Sequence, residues 1–134
     1  MKRFHLFFGL ALLVAFVLTG QYMDKVHNHL EGMEMGMRML YRTRHIFLLL
    51  ASLTHLGLGF YLQPRTGAWQ RRTQLAGTIV LSLGALLLLA AFFLDSARRD
   101  LSTPYSHWGV EALLLGLALH GLSGLREART PDAA

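Results

Sequence analysis

Cysteine is absent from the chain, and that one absence removes disulfides, zinc ribbons, iron–sulfur clusters and thiol catalysis together. It also leaves the redox compartment unreadable from thiols. Charge is scarce: 16% of the 134 residues are charged while 53% are hydrophobic, too apolar a balance for a soluble domain of this size. There is no G-x-S-x-G, no phosphate-cradling glycine loop, and no serine with a His/Asp companion at a recognisable spacing. The chain lacks a catalytic set. The formal net charge of +5 does not point to nucleic acid, because the basic residues sit at the ends of apolar runs, where topology and anionic lipid account for them.

What is present is four apolar runs. They predict an all-α integral membrane protein, a four-transmembrane-helix bundle in one domain over 1–134, with spans near 4–20, 46–62, 75–94 and 105–125. Lys2 and Arg3 followed by FHLFFGLALLVAFVLTG have the outline of a signal peptide, but no small-x-small site follows, so the segment reads as a signal anchor. The second span is uncharged from Ile46 to Leu62, enough for a tilted or slightly short crossing. Pro64, Gly67 and Trp69 mark an interfacial loop before the third span. Before the fourth, Ser102 or Thr103 reads as a helix cap with Pro104 in the first helical position. The tail from Arg126 is polar and expected to fray.

Four spans put both termini on one side. With the N-terminus in the cytoplasm, Lys2, Arg3, Arg65, Arg71, Arg72, Arg126 and Arg129 lie inside, against Lys25, Arg38, Arg42, Arg44, Arg98 and Arg99 outside. The split is nearly even, but the first helix weighs most and favours cytoplasmic termini in a bacterial inner membrane. The likeness of LLLASLTHLGLG around His55 to LLLGLALHGLSG around His120, with GLALLVAF from Gly9 against GALLLLAA from Gly84, leaves open a duplication into two tandem hairpins. Gly77 with Gly84, and Gly109 with Gly116, recur at seven residues and predict close backbone approach.

Polar residues at depth carry the functional reading, since an intramembrane ionisable group needs a named partner. An outer layer holds His45, Asp95, His107 and Glu111. Arg42, Arg44 and His45 are the expected partners of Glu111, either as an ion pair fixing register or as a proton site or a zinc, iron or manganese site built from His45, His107 and Glu111, with Asp95 as a further candidate. An inner layer holds His55, His120 and His5, about 15–20 Å below the outer histidines. Two histidine pairs at two depths resemble the pattern of a di-haem membrane cytochrome b, which implies imidazole ligation of haem b. The angles argue against two haems. His107 and His120 are turned by roughly 220° and His45 and His55 by roughly 280°, so a single haem between His55 and His120 is the easier arrangement.

The outer segment 21–44 is polar without being turn-like, and predicts an amphipathic surface helix or a helical extension feeding the second span. Its His27, His29, Met33, Met35, Met37 and Met39 pattern resembles copper-capture segments of periplasmic proteins, because thioethers and imidazoles select copper. The same methionines also make an adaptable apolar seam. Three readings stand: a non-enzymatic accessory subunit or homo-oligomer in contact with lipid and other membrane subunits, a haem b electron-transfer subunit, and a copper- or zinc-handling protein.

Overall fold

The computed structural model describes residues 1–96, 98 and 101–125. Arg99, Arg126 and Arg129 of the topology count, with the rest of the tail, lie outside the described residues. Among those described there are four α-helices, one short 3-10 helix and no strand. Helix α1 is Lys2–Lys25, α2 is Met35–Tyr61, α3 is Ala68–Leu94 and α4 is Pro104–Leu125. Two of them, α1 and α3, are long and apolar enough to cross a membrane. The other two carry Arg44, His45 and His55 on α2, and His107, Glu111 and His120 on α4.

The helices pack chiefly as two antiparallel hairpins, α1 with α2 and α3 with α4, joined through α2 and α3. Small residues make both hairpins close. At Gly116 a Cβ would lie 2.7 Å from both the Cβ and the backbone nitrogen of Leu81, and at Gly84 one would lie 2.8 Å from the Leu113 nitrogen and 2.9 Å from the Gly109 carbonyl. In the first hairpin the Gly9 position meets Leu56 at 2.9 Å and Gly59 meets Leu6 at 2.6 Å. Carbon contacts are optimal at about 3.5–4.0 Å, so no side chain fits at these crossings without displacing a helix. The seven-residue glycine spacing seen in α3 and α4 is therefore the seam between those helices. Gly9 sits one residue from the level of His55, whereas Gly84 lies opposite Leu113, about two turns from His120; the two stretches that look alike in sequence do not sit at the same height.

The outer segment does not form one helix. Residues 21–25 finish α1, Asn28–Leu30 make the 3-10 turn, and only from Met35 does the chain extend α2. Asn28, His29, Leu30 and Gly32 all have positive φ, from 44° to 77°, which breaks the helical period that the polar pattern otherwise supports. Aromatic edges hold this turn down: Tyr22, His27, Tyr41 and Phe92 meet at centroid distances of 5.0–6.1 Å.

Large apolar side chains stand on the surface, and polar ones are enclosed beside the apolar core of Leu48, Leu81, Leu88 and Phe92. Phe7, Leu18, Leu53, Phe60, Leu83 and Leu114 each expose more than half of their area. His5, Ser52, His55, Gln74, Asp95 and Ser123 expose 2% or less.

Candidate functional site: a buried histidine cluster

Three histidines from three helices meet near the end of the bundle that holds the N-terminus. His5 Nδ1 is 2.9 Å from His55 Nδ1, and His5 Nε2 is 3.1 Å from Thr78 Oγ1. Thr78 Oγ1 is also 3.4 Å from His120 Nε2 and 2.9 Å from the Gln74 carbonyl. The His5 ring lies 5.0 Å from that of His55 and 5.6 Å from that of His120, and Phe8, one turn along α1, lies 4.7 Å from His55. The sequence pointed to all three histidines; Thr78, the hub, escaped notice because a lone threonine on an apolar helix face commonly bonds back to its own preceding turn. It does that here, and accepts from two histidines besides.

Counting protons assigns the network for neutral imidazoles. Thr78 has one hydroxyl hydrogen, and the short bond to the Gln74 carbonyl takes it. His5 Nε2 and His120 Nε2 must then donate to Thr78. With its proton on Nε2, His5 accepts at Nδ1 from His55. Two bare nitrogens remain, His55 Nε2 and His120 Nδ1, and both are buried without a hydrogen-bond partner.

This geometry bears on each cofactor reading. His5 stands in contact with both His55 and His120, so the two histidines expected to hold one haem share a third imidazole as neighbour. Both nitrogens of His5 are engaged, and among the described residues no three His, Asp or Glu side chains converge as a metal-holding group.

The outer residues disperse. His45 stacks on Phe16 at 4.0 Å and its Nδ1 bonds Thr19 at 3.0 Å. His107 pairs with Glu111 one turn away at 3.1 Å, both more than half exposed. Glu111 thus faces out, and the expected link to Arg42, Arg44 or His45 is not made. Instead Arg44 Nε donates to Ser106 Oγ at 2.8 Å. Ser106 in turn donates from its hydroxyl and its backbone N–H to Asp95 Oδ2, at 2.8 and 2.7 Å. Tyr105 N adds a longer bond to Asp95 Oδ1 at 3.4 Å. Since the Thr103 carbonyl accepts from His107 N, Tyr105 and Ser106 are the second and third residues of α4, whose N–H groups a capping side chain normally takes. The cap is therefore Asp95, from the end of α3, rather than the side chain of Ser102 or Thr103. Burial lowers the Arg44 guanidinium below its ordinary pKa, and the Asp95 carboxylate opposes that shift.

The methionine-rich segment is likewise spread out. Met33 lies before α2 and packs on the core, while Met35 and Met39 are exposed by 78% and 61%. Met37 is on α2, His27 packs between Tyr22 and Tyr41, and His29 pairs with Asp24. Because Met33 lies outside the helix, it does not stand one helical turn below Met37 on α2. No family model, curated protein or solved structure matches the chain, so function is argued from these contacts alone.

Proposed function

We propose that the chain is a four-span integral membrane protein that acts without catalysis, as an accessory subunit of a membrane complex or as a homo-oligomer. One observation carries the reading: large apolar side chains such as Phe7, Leu53, Leu83 and Leu114 face outward, while His5, Ser52, His55 and His120 are enclosed. Water would favour the opposite arrangement, whereas lipid rewards it, because polar groups inside a bilayer must find partners in the protein. Lipid also removes the hydrophobic drive between helices, and close glycine crossings with interhelical hydrogen bonds, such as Ser52 Oγ to the Gly9 carbonyl at 2.9 Å, take its place. Lys2 and Arg3 at the start of α1 support cytoplasmic termini in a bacterial inner membrane. The histidine cluster then serves chiefly to lock α1, α2, α3 and α4 in register. Extraction in mild detergent followed by native mass determination tests the assembly role. A mass above that of one chain, with a reproducible partner or whole-number copies, is expected. A solitary chain in several mild detergents contradicts it.

A further inference from the structure

A cavity of about 330 Å³, within the range of small-molecule sites, lies where the end of α1 faces the first turns of α2. Arg42 from α2, Asp24 from α1 and His29 from the 3-10 turn line it, with Gly20, Met23 and Leu30. Asp24 pairs with His29. Arg42 is exposed and, among the described residues, makes no ion pair, so opposite charges share one cavity without joining. His29 is held there by a backbone that residues other than glycine rarely adopt, with φ of 44°, 57° and 64° at Asn28, His29 and Leu30, and such conformations cluster at ligand sites. Below the charges the same two helix faces are apolar and exposed. Ile46 and Leu53 follow Arg42 at four and eleven residues along α2, exposed by 60% and 55%. Val17 and Leu10 precede Asp24 by seven and fourteen residues along α1, exposed by 54% and 49%. A ligand seated here meets both charges at its head and apolar surface beneath.

We propose that this cavity binds the headgroup of a zwitterionic phospholipid of the ethanolamine class, with its phosphate on Arg42, its ammonium on Asp24 and its acyl chains along Ile46 and Val17. The guanidinium presents a fork of donors that matches phosphate oxygens. A carboxylate accepts several hydrogen bonds, so Asp24 takes an ammonium proton beside its bond from His29. An anionic lipid offers Arg42 the same phosphate but leaves Asp24 facing no cation. The site therefore prefers the zwitterion, although the chain's formal net charge is +5. That preference sets it apart from the general attraction of basic segments to anionic lipid. The proposal rests on the membrane reading, and the two fail differently: a chain foreign to membranes would retain neither lipid, whereas a bundle without this site would retain both without discrimination.

The test is native mass spectrometry of the delipidated full-length chain in mild detergent, titrated with dioleoylphosphatidylethanolamine or dioleoylphosphatidylglycerol. One equivalent of the ethanolamine lipid should bind about tenfold more tightly than the glycerol lipid, the size of one hydrogen bond to a charged group. Asp24→Asn should erase that preference by weakening the ethanolamine lipid alone. Unchanged affinity for the glycerol lipid is the sign that the cavity is intact. Arg42→Gln should weaken both lipids by about tenfold, since both present the phosphate. The proposal is overturned if the glycerol lipid binds as tightly as the ethanolamine lipid, or if neither binds. It is overturned equally if Asp24→Asn keeps the preference or weakens both lipids alike, or if Arg42→Gln binds as well as the parent chain.

Discussion

Gly116→Ala should lower the stability of the detergent-solubilised bundle by about 2–3 kcal/mol, the upper part of the usual range for forcing an extra carbon into a packed site. The new Cβ meets Leu81 at its backbone nitrogen and Cβ, both 2.7 Å away, so neither atom yields by a rotamer change. Relief requires α3 and α4 to part, and that loosens Gly77 against Gly116 and Gly84 against Gly109 as well. Gly121→Ala is the matched control. Nothing lies within 4 Å of its Cβ position, and the same methyl should change stability by no more than about 0.5 kcal/mol. Unfolding in mixed micelles of increasing denaturing-detergent fraction compares the two. Equal effects would mean that the glycine seam does not hold the second hairpin.

Asp95→Ala should cost about 3 kcal/mol. The carboxylate is fully enclosed and accepts from Ser106 Oγ, Ser106 N and Tyr105 N. Removing it takes away the cap of α4, worth about 0.5–2 kcal/mol. It also leaves Arg44, only 4% exposed, without the negative charge that offsets its burial, a larger penalty of the kind that follows when one member of a buried ionic group is deleted. Asp95→Asn separates the two terms. It retains an acceptor for the α4 amides while deleting the charge, so it should fall between Ala and the parent. The same micelle unfolding reads the order. Should Asn destabilise as much as Ala, the charge facing Arg44 outweighs the cap; should neither destabilise, the α3–α4 connection is not held by Asp95.

Legibility followed the range of the signal. The four helices and the Pro104 start of α4 were readable because apolar length and proline chemistry are local properties of the chain. The histidine cluster was partly readable: His5, His55 and His120 fall at one depth by counting residues along each helix, and no long-range information is needed for that. Which faces they present was not, because small errors in helical phase accumulate over ten to thirteen residues. For the same reason Glu111, placed by depth among inward groups, turns out on the surface with His107. The cap on α4 was hidden because its acceptor arrives from the end of the previous helix, and local capping patterns search only a few residues upstream. The turn at Asn28–Leu30 was hidden too, since residues with positive φ other than glycine carry little sequence signature.

The central claim is that the outward faces of all four helices meet lipid. The absence of cysteine makes it directly testable, because a single introduced cysteine is a unique labelling site. Spin labels at Phe7, Leu53, Leu83 and Leu115, one on each helix and each exposed by more than half, can be compared in proteoliposomes for access to oxygen, which concentrates in lipid, and to a water-soluble nickel chelate. High oxygen access with low nickel access at all four positions is the predicted result. Nickel access matching that of a label at Thr66 in the α2–α3 loop, on α2 or α4 in particular, would contradict it.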